Sequence, residues 1–108
     1  MLRLVFLNSA KRDLIVTLRY IAEQSSSAIA ARAFTDRIRR KCRDLSVLPG
    51  RIGRPRPELG QDIRSHVFQN YVIFFRYKDD TFEVINILHG RRDIDSYFRE
   101  FLPPDDRG

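Results

Sequence analysis

Three extended runs between residues 62 and 89 constrain the fold more than any other part of the chain. Asp62–Phe68, Tyr71–Tyr77 and Thr81–His89 are rich in β-branched and aromatic residues. Only Gln69-Asn70 and Lys78-Asp79-Asp80 separate them. Breaks this short cannot carry the crossover that a parallel connection needs. The runs are therefore predicted to form an antiparallel meander. Tyr71–Tyr77, nearly all apolar, should be its central strand. Strict alternation along the third run puts Phe82, Val84 and Leu88 on one face and Ile85 and Ile87 on the other.

The segment before the meander reads as one strand and two helices. Leu2–Leu7 is mostly apolar on both faces, as a strand inside a sheet would be. Asn8 and Ser9 offer helix N-caps, and Asp13 is expected in the first turn, where the helix dipole favours negative charge. Leu14, Ile15, Leu18, Ile21 and Ala22 then fall on one helical face. Gln24–Ser27 is a polar break, and Ser27 can cap a second helix. Phe34, Ile38, Cys42, Leu45 and Leu48 follow at helical spacing, which predicts a helix running to Pro49. Cys42 sits within that stripe and is expected to be a buried thiol. The break between the helices is short, so they should form an antiparallel hairpin.

Pro49–Gln61 holds three prolines and three glycines, which excludes a helix or a central strand. Ordered loops of this length often carry function. After His89, Asp93 opens a last short helix with Ile94, Tyr97, Phe98, Phe101 and Leu102 on one stripe, stopped by Pro103-Pro104. That stripe suits packing on the chain's own sheet or docking of a partner segment. The predicted order is β-α-α-β-β-β-α: an α+β fold with a helical hairpin on one face of a mostly antiparallel four-stranded sheet. Residues 1–102 are expected to form a single domain, with 103–108 as a frayed tail.

The charge balance narrows the partners. Among 108 residues, 20 are basic and 14 acidic, a formal net charge of +6. Arginine supplies all but Lys11, Lys41 and Lys78 of the basic set. Nucleic acid or an acidic protein surface is the matching partner class, although a GC-rich genome also produces arginine bias. No run approaches the length of a membrane span, and no secretory signal is recognisable, so the expected location is cytoplasmic. One cysteine excludes an internal disulfide, and with two histidines it makes a structural zinc site unexpected. No cofactor or metal is expected.

Candidate functional residues cluster late in the chain. Arg64 and Arg76 lie on predicted strands and His89 at the end of the last one. Arg91 and Arg92 occupy a predicted helix N-terminus, where positive charge is disfavoured by about 0.3–1 kcal/mol. That conflict points either to contact with phosphate or an acidic partner, or to ion pairs with Asp93 or Asp95. Glu83 and His89 are the acid–base pair to weigh. Six residues apart in one strand, they would share a face but lie roughly 20 Å apart. They cannot serve one scissile bond together. His89 with Arg64 or Arg91 remains open as a smaller set.

Pro49–Leu59, Ile63-Arg64-Ser65, Tyr71–Tyr77 and Val84–Ile94, with its His89-Gly90-Arg91-Arg92-Asp93 core, resemble the ParE toxins of the RelE/ParE toxin–antitoxin superfamily. The resemblance covers nearly the whole chain. It implies a cytoplasmic bacterial toxin that inhibits DNA gyrase by binding and traps its cleaved DNA complex, causing growth arrest. A cognate antitoxin would hold it inactive in a hetero-oligomer, and DNA would be contacted through the antitoxin and gyrase complexes. Under this reading Arg64, Arg76, His89, Arg91 and Arg92 are target-contact candidates, and no residue is catalytic. Leu18, Ile21, Phe34, Tyr97, Phe98 and Phe101 are antitoxin-docking candidates. RelE-type relatives instead cleave mRNA on the ribosome. In that alternative Arg64, Arg76 and His89 would bind phosphate and move protons. A non-toxic antitoxin-binding module is the third reading.

Overall fold

The computed structural model describes residues 2–90. Arg91, Arg92, the predicted helix from Asp93 and the tail 103–108 lie outside the described residues. The elements run β1 (Arg3–Phe6), α1 (Asn8–Ser25), α2 (Ala28–Ser46), β2 (Arg54–Pro55), β3 (Arg64–Phe68), β4 (Tyr71–Lys78) and β5 (Thr81–His89). They build a mixed five-stranded sheet in the order β1-β5-β4-β3-β2, with the two helices on one face.

The meander forms as the sequence predicts. β3 pairs antiparallel with β4, and β4 with β5. Both hairpins close through two-residue turns, Gln69-Asn70 and Asp79-Asp80, and the first residue of each takes a positive φ. The sheet nonetheless has five strands, not four. The fifth is β2, two residues of the Pro/Gly loop paired antiparallel with β3. Proline is tolerated there because β2 is an edge strand. β1 is also corrected: it forms the opposite edge, pairing parallel with β5. It read as an interior strand because Leu4 and Phe6 pack into the helix-side core while its other face is only partly open.

The hairpin is tight. Ser26 takes the left-handed conformation at the end of α1, and Ser27 Oγ accepts the Ala30 N–H at 3.0 Å, the predicted cap of α2. The start of α1 differs from expectation. Helix begins at Asn8, with Leu7 at the cap position and no side-chain cap. Ser9 Oγ instead donates to the Ile85 carbonyl. Asp13 lies in the second turn, and its carboxylate accepts the Ile87 N–H at 2.9 Å and the Asn86 amide at 3.0 Å. α2 ends at Ser46, so Leu48 falls outside it and is exposed.

These contacts sit beside an irregularity in β5. Phe74 pairs with Asn86 but Phe75 pairs with Val84, so Ile85 is the extra residue of a β-bulge. The bulge reverses the alternation. Ile87 joins Phe82 and Val84 in the helix-side core with Leu14, Ile38 and Cys42, whereas Leu88 packs with Val72 and Phe74 on the other face. This overturns the strict alternation expected for β5.

Burial pushes the Cys42 thiol up to about 12 from 9.0. The folded state therefore keeps its proton where the unfolded chain loses it. The associated stability is complete below pH 9.0 and is lost as pH rises toward 12. Cys42 should resist a thiol reagent in the native protein and react fully in denaturant; fast native labelling would contradict its burial. Asp13→Ala should destabilise the fold by about 1–3 kcal/mol, read by urea unfolding, because it strips two buried-edge donors of their acceptor.

Candidate target-binding surface

Arg64 and Arg76 are two of the residues the sequence singled out, and the sheet separates them. Arg64 pairs in register with Phe75, a core residue of the helix side. Its guanidinium reaches the Pro/Gly loop, where Nη1 donates to the carbonyls of Ile52 (3.4 Å) and Gly53 (3.3 Å). Arg76 pairs with Glu83, on the face that the helices leave open. Arg76 Nε donates to Glu83 Oε1 at 2.7 Å. His89 is on the helix side again, edge-to-face against Tyr71 with ring centroids 5.3 Å apart. It lines an open pocket of about 480 Å³ with Gln69, Asn70 and Tyr71. The bulge thus corrects the expectation for Glu83 and His89: they lie on opposite faces of the sheet and do not share one.

The open face gathers residues that sequence reasoning missed. The Pro/Gly loop brings them. Tyr77 Oη accepts the Ile52 N–H at 3.0 Å, and the Arg51 guanidinium lies 5.3 Å over the Tyr77 ring. Gly53, at φ +87°, presses on the Phe75 ring; a Cβ there would come within 2.5 Å. Anchored this way, the chain lays Arg54 beside Ser65 and turns Arg56 over the Phe74 ring at 5.6 Å. Arg56 Nε donates to Glu58 at 2.8 Å and its Nη1 to Ser65 Oγ at 3.3 Å. The bond from Arg56 holds the Glu58 carboxyl below its ordinary value. Leu59 and Ile63 of the same loop cover Val72, Phe74 and Leu88. The sequence signal was the proline- and glycine-rich composition of the loop, which does not say which face the loop crosses.

His66 stays on the helix side of β3, opposite Ile73. Burial lowers its pKa, and the Lys41 charge on α2 adds to the effect. Among the described residues no group of three or more His, Cys, Asp or Glu side chains is arranged to hold a metal ion. No helix among them is long and apolar enough to cross a membrane.

A second surface lies on the hairpin. Leu18 lines a groove of about 220 Å³ between α1 and α2 with Ile15, Arg32, Thr35, Asp36 and Arg39. Arg32 and Asp36 also border a neighbouring groove of about 450 Å³ with Ala28, Ile29 and Ala33. Ile15 and Ile29 are exposed, Ile29 by 85%. Ile21 is half-buried on α1. Phe34 turns the other way, packing on Tyr71 and Phe68 at 5.4 and 6.4 Å. Tyr97, Phe98 and Phe101 lie outside the described residues.

Two measurements check this geometry. Gly53→Ala should cost about 1–3 kcal/mol in unfolding experiments, since it adds backbone strain and a clash with a core ring. A double-mutant cycle of Arg76→Ala and Glu83→Ala should give a coupling of about 1–2 kcal/mol, because the bond is charge-assisted and Glu83 is 15% exposed. Simple additivity would mean that the pair does not form.

Comparison with known proteins follows the same lines. A family model described as "ParE toxin of type II toxin-antitoxin system, parDE" matches residues 4–94. Among solved structures, the chain is similar to one titled "Chromosomal ParDE TA system from P. aeruginosa", with a TM-score of 0.73 and 18% identity. That similarity covers 82% of this chain and 96% of the other. A search of curated proteins gave no match. The chain belongs to the ParE toxin family of type II toxin–antitoxin systems.

Proposed function

We propose that this chain is the toxin of a cytoplasmic toxin–antitoxin pair and that it inhibits DNA gyrase by binding, trapping the enzyme's cleaved DNA complex. The family match over residues 4–94 carries this reading. The site geometry supports binding over RNA cleavage. Glu83 is tied to Arg76 on one face of the sheet while His89 packs on Tyr71 at the other, so the two do not meet as acid and base. On this reading the open face of the sheet, with Arg76, contacts the target, and Arg64 contributes by holding the loop that delivers Arg54 and Arg56. His89, on the helix side against Tyr71, and Arg91 and Arg92, outside the described residues, are the other target-contact candidates.

A cognate antitoxin would cover the hairpin groove beside Leu18 and Ile21, where exposed aliphatic side chains stand next to arginines. An amphipathic helix with acidic flanks is the complementary shape and charge. The resulting complex is a hetero-oligomer.

Supercoiling and cleavage reactions with purified gyrase test the proposal. Excess toxin should block supercoiling and accumulate linear, gyrase-cleaved DNA, and the antitoxin should reverse both effects. Normal supercoiling with saturating, folded toxin would overturn it. Cleavage within codons of cellular mRNA after induction would then favour the ribosome-dependent nuclease reading.

A further inference from the structure

The open face of the sheet carries five cations on three of the five strands or their immediate flanks. Pair register sets their places. Arg3 on β1 aligns with Thr81, which aligns with Lys78 on β4. One row further along, Val5, Glu83 and Arg76 align. The next row on β3 and β2 brings Ser65 and Arg54, with Arg56 over Phe74. Side chains directly opposite one another share a face. Leu4, Phe82 and Tyr77 pack in the helix-side core, so the alternate residues Arg3, Thr81 and Lys78 face away from the helices. Arg3, Arg54 and Lys78 are exposed, and Arg56 and Arg76 partly so. At the spacing between strands the stripe runs about 20 Å across the sheet. Glu83 and Glu58 lie beside it, each bonded to an arginine, and Asp79 and Asp80 stand in the exposed turn next to Lys78 and Arg3.

We propose that this stripe binds the phosphate backbone of nucleic acid directly, without antitoxin or gyrase. The pattern separates a polyanion from an acidic protein. Protein hot spots centre on an apolar anchor that fills a pocket. This stripe offers none: Phe74 lies beneath Arg56, and Leu59 and Ile63 already cover the apolar floor. The exposed Val67 lies at the other end of β3, next to the β3–β4 turn. The hairpin surface has the opposite character, with Ile15 and Ile29 exposed among its arginines. A linear array of separated cations without an anchor matches repeated phosphates, which bind by charge and release counterions. The inference rests on the gyrase reading and deepens it: within the target complex the open face would meet the DNA, and the toxin alone would hold DNA.

Fluorescence anisotropy of the full-length toxin with labelled oligonucleotides, single-stranded and duplex, tests it without gyrase. Affinity should fall at least ~30-fold between about 50 and 200 mM salt. Arg54→Glu with Lys78→Glu should weaken binding by about tenfold or more. Arg32→Glu with Arg39→Glu on the hairpin changes the net charge by the same amount and should leave affinity within about twofold; circular dichroism would confirm that both variants fold. Equal losses in the two variants would show non-specific charge attraction and overturn the proposal. No binding at low salt, or binding of polyglutamate as tight as that of an oligonucleotide, would also overturn it. Failure here leaves the gyrase assay unaffected, and failure there leaves this one unaffected.

Discussion

One extra residue in β5 divides this molecule into its two faces. Ile85 breaks the pairing of β5 with β4, and every side chain after it changes side. Without the bulge Leu88 would enter the helix-side core and Ile87 would leave it. The irregularity holds because α1 seals it. β1 ends at Phe6, opposite Val84, so among the described residues no strand lies beside the edge of β5 beyond that point. Ser9 donates to the Ile85 carbonyl and Asp13 accepts from the Ile87 N–H. Two side chains from the first turns of a helix thus complete the hydrogen bonding that a sixth strand would supply. Unpaired backbone groups at that buried edge would be costly, which ties the seat of the hairpin to the register of the sheet.

The consequence is chemical as well as structural. The helix side becomes an aromatic and aliphatic core in which Phe75 stacks on Phe82 at 4.6 Å. The open side is left with a smaller apolar patch that the Pro/Gly loop covers, and with cations arrayed around it. The loop is therefore part of the surface and not a mere connection. Its fixed points are Tyr77, Arg64 and the Phe75 ring, all on or beside the helix-side core, while the residues it delivers, Arg54 and Arg56, project to the other face. Arg64 acts on the open face through that loop, from the opposite side of the sheet.

Much of the architecture was legible from the sequence. Long apolar runs with very short breaks can only make a meander, and helical spacing marked both helices and the burial of Cys42. The separation of Arg64 from Arg76 was legible in principle: a two-residue turn sets Phe68 opposite Tyr71 and hence Arg64 opposite Phe75, so that Arg76 faces the other way. The bulge was not. A single unpaired residue leaves little periodic trace in a strand where the adjacent apolar pairs Val84-Ile85 and Ile87-Leu88 fit either face. β2 escaped for a related reason, since two residues containing a proline carry no alternation at all. The role of Asp13 depends on a contact with residues more than seventy positions away, which local helix rules do not anticipate. Of the site, Arg76 was found by residue type, whereas Arg3, Arg54, Arg56 and Lys78 become a set only when the strands are ordered.

On the proposed function, the target meets the open sheet face and the antitoxin covers the hairpin. Growth arrest and antitoxin capture, measured in parallel on charge-reversed variants of each face, test that division most directly. Reversal of Arg54 and Lys78 should abolish growth arrest while the protein still captures its antitoxin; reversal of Arg32 and Arg39 should weaken capture and leave growth arrest intact. Toxicity that survives the first pair, or antitoxin binding lost through it, would contradict the account.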